Sequence, residues 1–300
     1  MPELPDITLY QVRLRERLVG QSVTNIGVWS MFVLRSVEVA PRDLIGDTVR
    51  DVFRVGKRLV FEFESGRTLI VHLMISGRFV WREGEKLARP KARDILWGIE
   101  FPNGVLSVAE ASKKKRSSLH ILPDRASAER LGRGGEDVRA MKTERFQTIL
   151  QQENRTLKRA LANPSWFDGI GNAFSDEILF HAKLSPMRLT QALKPEEIQR
   201  LHEAAKQTLE MWTERLQNEI KEFPKPSQVT AFRPDFATHG KFGKPCPVCG
   251  VPIQRIVYAE NETNYCARCQ NEDRILADRG LSRLLKDDWP RTVEQMLGEE

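Results

Sequence analysis

The four cysteines of this chain are the feature that most restricts its fold. They are Cys246, Cys249, Cys266 and Cys269, and their spacing is C-x2-C-x16-C-x2-C. This spacing is typical of four-thiolate zinc sites, in which two tight turns direct their sulfurs at one tetrahedral centre. We therefore predict one structural Zn²⁺, because four thiolates leave no coordination position open for catalysis. A pair of disulfides is the alternative.

The length and charge of the chain favour two domains and a polyanionic partner. Its 300 residues correspond to two domains of about 150 residues each. The net charge of +6 and the pI of about 9.2 suit nucleic acid, although a merely basic soluble protein has the same composition. The sequence contains no run of about 18 apolar residues and begins without the pattern of a signal peptide. We expect a cytoplasmic protein without membrane contacts.

The first part of the chain is rich in β-strand signals. Residues 5–19 have the apolar spacing of a helix, which Gly20 closes. Residues 22–122 contain short β-rich segments that turns such as Ser65-Gly66 and Asn103-Gly104 separate. This pattern predicts an antiparallel sandwich or barrel of about eight strands.

The second part of the chain is helical up to the cysteines. Residues 127–139 combine glycines with charges and predict a linker. Residues 143–161 carry one apolar stripe, which predicts a helix, and longer helices are expected at about 195–221. Between them, Gly169-Ile170-Gly171-Asn172 predicts a tight turn that opens a helix, with Asn172 suited to cap it or to donate to a phosphate.

The start of the chain carries a candidate nucleophile. Removal of Met1, which a small second residue permits, leaves Pro2 with a free secondary amine. An α-amine titrates near ~8 and a lysine near ~10.4, so more of the α-amine is unprotonated at neutral pH. Glu3 places a carboxyl beside it for proton transfer. An ordinary helix start at Leu4-Pro5-Asp6 is the alternative.

Four features in order resemble one enzyme family. They are the start Pro2-Glu3-Leu4-Pro5, the β-rich half, the Gly-Ile-Gly-Asn turn and the four-cysteine finger that ends at Gln270. Over residues 2–270 the chain resembles the formamidopyrimidine-DNA glycosylase / endonuclease VIII family. The resemblance implies a multidomain α+β fold: an N-terminal antiparallel β-sandwich with a leading helix, a C-terminal helical helix-two-turn-helix domain and a four-cysteine zinc-ribbon hairpin. The expected bounds are 1–125 for the catalytic sandwich, 126–140 for a linker, 141–240 for the DNA-binding domain, 241–270 for the zinc finger and 271–300 for a C-terminal extension.

The resemblance also implies a function and a catalytic set. The family excises damaged bases from double-stranded DNA and nicks the strand by β/δ-elimination, as a DNA glycosylase and AP lyase. By carry-over, Pro2 forms the Schiff base with the sugar, Glu3 transfers protons, and Lys57 binds a phosphate or protonates the leaving base. We expect a monomer that works at the bacterial nucleoid and needs no redox cofactor or catalytic metal.

The same resemblance suggests residues that contact DNA. Met74 and Ile75 fall where the family carries an intercalating side chain, although a buried strand end is the alternative. Lys113, Lys114 and Lys115 form a cationic run that faces either phosphates or solvent. The remaining candidates are polar residues placed to contact the DNA backbone: His72, Asn172 and Asn261.

Three departures from the family pattern leave the substrate open. The family carries an arginine and a phenylalanine as wedges in an Asp-Pro-Arg-Arg-Phe-Gly stretch, but the equivalent residues 110–118 lack the aromatic. Asn261 stands near the position of the family's finger-tip arginine. Residues 271–300 extend beyond the usual end, and their apolar spacing predicts a short helix that packs back on the protein. One alternative is a relative that binds lesions or abasic sites with little base excision. A weaker alternative is a zinc-ribbon RNA-binding protein.

Overall fold

The computed structural model describes residues 1–90, 94–132, 134–258 and 261–298. The chain divides into two compact units. Unit 1 comprises Met1–Arg133 and Trp212–Thr230, and unit 2 comprises Gly134–Met211 and Ala231–Glu300. The domain bounds expected from the sequence remain predictions.

Helix α1 (Leu4–Leu18) opens unit 1 and lies where the apolar spacing predicts a helix. Its first turn is tied to the preceding residue, because the Asp6 carboxylate accepts the backbone N–H of Glu3 at 3.0 Å. One face of the helix repeats at three- and four-residue intervals and packs into the core of unit 1. This face consists of Ile7, Tyr10, Leu14 and Leu18.

Two antiparallel four-stranded sheets follow α1 in unit 1, as the sequence predicts. The first sheet has the order β1-β6-β7-β5 and the second has the order β2-β3-β4-β8. The strands are β1 (Asn25–Val28), β2 (Val49–Val55), β3 (Arg58–Phe63), β4 (Thr68–His72), β5 (Gly77–Glu83), β6 (Ile95–Phe101), β7 (Gly104–Glu110) and β8 (Ser118–Leu122).

The core of unit 1 lies between the two sheets. It contains aromatic side chains from both of them, including Phe61 and Phe63 of β3, Phe79 of β5 and Trp97 of β6. Phe79 and Trp97 meet edge to face with ring centroids 6.4 Å apart, the arrangement that the ring quadrupoles favour. A short helix, α2 (Arg125–Arg130), follows the last strand.

Unit 2 contains most of the remaining helices of the described chain. They are α3 (Thr143–Gln151), α4 (Leu157–Leu161), α5 (Asn172–His181) and α6 (Pro195–Glu219), whose residues up to Met211 belong to this unit. The glycine-containing turn opens α5 as predicted, but Gly171 rather than Asn172 is the N-cap residue.

The prediction of one helix over 143–161 is wrong. The segment between α3 and α4 pairs its backbone with a distant segment instead of continuing the helix. The N–H of Thr190 donates to the Arg155 carbonyl at 2.8 Å, and the N–H of Leu157 donates to the Arg188 carbonyl at 2.8 Å. The hydroxyl of Thr190 also donates to the Glu153 carbonyl at 2.7 Å. Because these groups already have partners, the apolar stripe is divided between two helices.

A two-stranded finger and a C-terminal extension complete unit 2. The finger hairpin consists of β9 (Gln254–Tyr258) and β10 (Asn261–Tyr265), and α7 (Ala267–Asn271) follows it. The extension forms two short helices, α8 (Arg279–Leu285) and α9 (Val293–Leu297), rather than the single helix predicted.

The extension packs on the finger through a small apolar cluster. Val293 of α9 is buried there with Ile256 and Tyr265 of the hairpin. The Tyr265 hydroxyl accepts the N–H of Leu276 at 2.7 Å. The buried Asp278 carboxylate accepts the N–H of Val257, also at 2.7 Å. The predicted packing of this tail against the protein is therefore confirmed.

The four cysteine sulfurs of the finger form one cluster. They lie within 4.8 Å of one another. The Sγ atoms of Cys246 and Cys269 are 3.9 Å apart, and those of Cys249 and Cys266 are 3.4 Å apart. A disulfide requires about 2.05 Å, so these pairs are not bonded. Four sulfurs at about 2.3 Å from a tetrahedral Zn²⁺ lie roughly 3.8 Å apart, which fits this arrangement.

Removal of zinc should unfold the finger, because a two-stranded hairpin is only marginally stable by itself. We expect chelation, or Cys269→Ser, to remove the one bound zinc and to accelerate amide exchange at Ile256 and Val257 at least tenfold. Hydrogen exchange read by mass spectrometry, beside a metal count per chain, measures this. The Ser165→Ala variant, at an exposed position of unit 2, is the control. Unchanged exchange in metal-free protein would contradict a structural zinc.

Candidate active site and nucleic-acid interface

The register of the second sheet brings several candidate residues to one end of it. Arg58, which follows the β2–β3 turn, pairs with His72 at the end of β4, and His72 pairs with Ser118 at the start of β8. Neighbouring strands lie about 4.8 Å apart. Lys57, His72 and the loop before Ser118 therefore form a row, which we call the site end.

Lys57 occupies a two-residue hairpin turn at the site end. Val55 and Arg58 pair across the turn, and Gly56 adopts a φ of +63°. Glycine at the first central position is the pattern of a type II′ turn, which matches the twist of the flanking strands. The Lys57 side chain is only 9% exposed, so the turn directs it into the protein surface rather than into solvent.

The N-terminus lies within electrostatic reach of Lys57. Burial lowers the pKa of the N-terminal amine below its ordinary value of 8.0, and the Arg78 and Lys57 cations lower it further. The charges of Glu3 and Asp6 oppose this shift. Pro2 is buried and Glu3 is 2% exposed. The predicted catalytic residues therefore share one neighbourhood, in which the unprotonated amine is favoured.

Arg78 is a site residue that sequence reasoning missed. Its guanidinium donates to the carbonyls of Ile75 at 3.1 Å and Gly77 at 2.7 Å, and its Nε donates to the Val229 carbonyl at 2.6 Å. Arg78 thus holds the turn after β4 while its charge acts on the amine. An arginine inside a strand gives no signal in a single sequence, since such residues are usually solvated.

The turn after β4 carries both predicted wedge residues. His72 is half-buried at the end of the strand, and Met74 adopts a φ of +54°, a left-handed conformation that is uncommon for such a side chain. Ile75 is 52% exposed, so the buried-strand-end alternative does not describe it. A Cβ at Gly77 would meet the Leu73 carbonyl oxygen at 2.4 Å, so the tight turn requires glycine there.

Glu110 organises the loop between β7 and β8. Its buried carboxylate accepts the N–H groups of Arg116 and Ser117 at 3.0 Å each, and the hydroxyl of Ser76 at 3.0 Å. The Lys115 ammonium donates to the Glu110 carbonyl, so Lys115 is engaged inside the loop. Lys113 and Lys114, by contrast, are exposed. The loop and the turn after β4 therefore share one anchor, which the sequence alone did not reveal.

The predicted DNA contacts of unit 2 lie at the start of α5 and in the finger. The Asn172 side-chain amide donates to the Glu262 carbonyl of β10 at 2.9 Å, which joins the Gly-Ile-Gly-Asn turn to the hairpin. Asn261 is exposed at the first position of β10. Lys158 supports the turn from beneath, because its ammonium donates to the Asn172 carbonyl at 2.5 Å and to the buried Asp176 carboxylate at 2.6 Å.

Among the described helices, none has both the length and the apolar character that a membrane span requires.

The four-cysteine cluster offers a complete thiolate shell, so its metal stabilises the finger and takes no part in catalysis.

Three domain families match the chain in succession. The formamidopyrimidine-DNA glycosylase N-terminal domain matches residues 1–114, and the formamidopyrimidine-DNA glycosylase H2TH domain matches residues 134–223. The zinc finger found in FPG and IleRS matches residues 243–271. This last match and the sulfur geometry together establish one structural Zn²⁺.

Curated relatives cover nearly the whole chain. The formamidopyrimidine-DNA glycosylase of Cytobacillus firmus is 28% identical over 278 residues, which are 90% of this chain and 100% of the relative. The enzyme of that name from Pelotomaculum thermopropionicum is 29% identical over 277 residues, which are 90% of this chain and 99% of the relative.

Solved structures of Lactococcus lactis Fpg have the same fold. The wild-type enzyme with DNA that contains N7-benzyl-Fapy-dG superimposes with a TM-score of 0.79 at 25% identity and covers 90% of this chain and 100% of its own. The enzyme bound non-covalently to DNA with an AP site has a TM-score of 0.75 at 25% identity, with 90% and 99% covered. With three matching domains in the same order and this shared fold, the chain belongs to the formamidopyrimidine-DNA glycosylase / endonuclease VIII family of DNA repair glycosylases.

Proposed function

We propose that the protein is a bifunctional DNA glycosylase and AP lyase that acts on damaged double-stranded DNA. The observation that carries the proposal is that the Met1 amine lies within electrostatic reach of Glu3 and Lys57, where burial and the Arg78 and Lys57 cations lower its pKa. An amine in such surroundings is a nucleophile at neutral pH, and a carboxyl beside it can move protons. Loss of Met1 removes that amine and exposes the nitrogen of Pro2, the next residue, as the new N-terminal amine.

The reaction begins with nitrogen attack at the sugar. The Pro2 nitrogen bonds to C1′ as the bond between C1′ and the damaged base breaks, and Glu3 takes up the N–H proton that the nitrogen loses. The base leaves with the electron pair of the broken bond and takes up a proton. Lys57 is placed to supply that proton or to hold an adjacent phosphate. Glu3 then delivers a proton to O4′ as the C1′–O4′ bond breaks, which opens the ring and leaves a cationic iminium on Pro2.

The iminium drives strand cleavage. It acidifies the C2′ proton, whose loss expels the 3′ phosphate, and a second elimination expels the 5′ phosphate. Water then hydrolyses the iminium and restores the Pro2 amine. The protein supplies position, proton transfer and a partly dry site, and no step requires the finger zinc.

The DNA contacts follow from the site end and from unit 2. His72, Lys113 and Lys114 are placed to bind phosphates on unit 1, as Asn172 and Asn261 are on unit 2. Lys115 instead positions its loop through the Glu110 carbonyl. Met74 and Ile75 fill the space that an extruded nucleotide leaves. The solved relatives hold DNA with Fapy-dG or abasic sites, so those lesions are the first substrates to test. We infer a monomer.

One observation keeps a second function in view. The loop between β7 and β8 presents no aromatic side chain, and Asn261 cannot form the charged pair that arginine makes with a phosphate. This pattern favours the alternative of a relative that binds lesions or abasic sites with little excision. Product analysis on duplexes with oxidised purines, oxidised pyrimidines, crosslinks and abasic sites distinguishes the two functions.

The assigned nucleophile can be tested by borohydride trapping on a duplex with an abasic site. We expect wild-type protein to form a covalent adduct and Pro2→Gly to form at least tenfold less, because it lacks the secondary amine that gives a permanently cationic iminium. The exposed Pro102→Gly variant, in the β6–β7 turn, is the matched control and should trap like wild type. Equal trapping by all three proteins would remove Pro2 from the mechanism.

Trapping should depend on pH with a midpoint below 8.0. Only the unprotonated amine reacts. The trapping rate should therefore be low at pH values below the pKa of the amine and should rise as the pH passes through that pKa. Burial lowers that pKa, with Arg78 contributing to the decrease, and we expect the same direction at Pro2. Replacement of this cation in Arg78→Met should move the midpoint upward, whereas Arg50→Met, on the exposed Glu64 pair, should not. Cyanoborohydride trapping rates measured against pH decide this, and a midpoint at or above 8.0 in wild type would contradict it.

A further inference from the structure

An exposed aromatic turn in unit 1 has no function in the mechanism above. Ser30 to Val33 form a turn closed by a 3.1 Å hydrogen bond from the Val33 N–H to the Ser30 carbonyl, with Met31 and Phe32 at its centre. Met31 is 73% exposed and Phe32 is 81% exposed. Two large apolar side chains side by side in water at a loop tip indicate a contact with a partner.

The backbone holds this turn at both ends. The N–H groups of the two residues before Met31 donate to the Leu96 carbonyl of β6, at 2.9 and 3.0 Å. On the other side, the Leu119 N–H of β8 donates to the Val33 carbonyl at 2.7 Å, and the Arg35 N–H donates to the Leu119 carbonyl at 2.8 Å. The turn therefore connects the first sheet to the second. Backbone hydrogen bonds hold both of its ends, and the exposed side chain of Phe32 lies between them.

The pairing with β8 places the turn at the site end. Leu34 and Leu119 form a parallel bridge, so the residues before Leu34 extend in the direction of the start of β8. The loop that carries Lys113 and Lys114 enters β8 at that point. Strand β4 lies on the other side of β8, two strand spacings or about 10 Å from the Leu34 segment. Phe32 and Ile75 therefore project on opposite sides of the loop between β7 and β8, which carries Lys113 and Lys114 and which we call the lysine loop.

The charges around the turn suit a polyanion. Arg35 is exposed next to the turn, as are Lys113 and Lys114 on the neighbouring loop. Burial lowers the pKa of His120, and the Arg58 and Arg35 cations lower it further, which places both guanidinium groups near this strand. An apolar tip surrounded by cations matches nucleic acid, in which flat apolar base faces lie between phosphates.

We propose that Phe32, with Met31 beside it, stacks on the unpaired base faces next to the extruded nucleotide in duplex DNA, on the side away from Ile75. The inference rests on the proposed function. Extrusion leaves base faces without a stacking partner, and an aromatic ring restores that contact. Phe32 thereby lowers the cost of extruding a base from a duplex. Phe32 should have little effect on a reaction in which no base has to leave the stack, such as trapping at a preformed abasic site.

Two reactions of the full-length protein separate this function from a general one. The first is single-turnover excision of an oxidised base, 8-oxoguanine or Fapy-dG, from a duplex. The second is borohydride trapping at a preformed abasic site in the same duplex, where no base is extruded. The variants are Phe32→Ala, Phe32→Trp and Met31→Ala. The matched control is Val37→Ala, because Val37 is 98% exposed on the same loop but lies beyond the β8 bridge.

The expected pattern is selective. Phe32→Ala should lose about tenfold in excision, as base–aromatic stacking implies, and less than twofold in trapping. Phe32→Trp should retain excision, Met31→Ala should lose less than Phe32→Ala, and Val37→Ala should match wild type in both reactions. Equal losses of Phe32→Ala in the two reactions, or no loss in either, would overturn the inference.

A readout without catalysis covers the case in which none of the tested bases is excised. A 2-aminopurine beside a tetrahydrofuran site changes its fluorescence when an aromatic ring stacks on it, and Phe32→Ala should abolish most of the change that wild type causes. An unchanged signal overturns the inference. The inference is also overturned if Phe32→Ala changes the sedimentation of the protein but leaves the 2-aminopurine signal unchanged. That result would assign the turn to a contact between protein chains. Failure of wild type to trap abasic DNA would instead refute the proposed function.

Discussion

The antiparallel register of the second sheet is the constraint on which the proposed active site depends. Pairing of Arg58 with His72, and of His72 with Ser118, places three connections at one end: the Lys57 turn, the turn after β4 and the lysine loop. A slip of one residue would turn the side chains of a strand to the opposite face and separate these groups. The buried cluster between the sheets opposes such a slip, because Phe61 and Phe63 would then leave the core. Packing in the core thus sets the positions of the groups to which we assign the chemistry.

In the proposed mechanism, the N-terminus supplies the reactive group of this scaffold. Helix α1 is anchored by its buried face, and the Asp6 carboxylate fixes the backbone of Glu3. The amine is therefore held where burial and the cations of Arg78 and Lys57 disfavour its protonated form. The proposed chemistry also depends on the removal of Met1. A retained Met1 leaves the Pro2 nitrogen inside a peptide bond, without a lone pair to donate. Processing of one residue thus decides whether the site can react.

Local patterns predicted much of this fold, and long-range pairing accounts for the rest. The cysteine spacing predicted the finger, because ligand geometry is set within short turns, and the apolar spacing of residues 5–19 predicted α1. The break between α3 and α4 escaped prediction, since its partners lie more than 30 residues away around Thr190. Strands β2 and β5 carry charges among their apolar residues, so their sequences give a weaker strand signal. Arg78 and Glu110 make their contacts only when separate loops come together in the fold, so the sequence alone does not reveal them. The hydrogen bond of the Lys115 ammonium to the Glu110 carbonyl escaped prediction for the same reason.

The central claim is that the Pro2 nitrogen forms the bond to the sugar. The most direct measurement is to digest the borohydride-trapped complex and to locate the modified residue by mass spectrometry. The account predicts that the reduced sugar lies on the N-terminal peptide, on the nitrogen of Pro2, and only in chains that have lost Met1. A sugar on Lys57 or another lysine, or on chains that retain Met1, would contradict it.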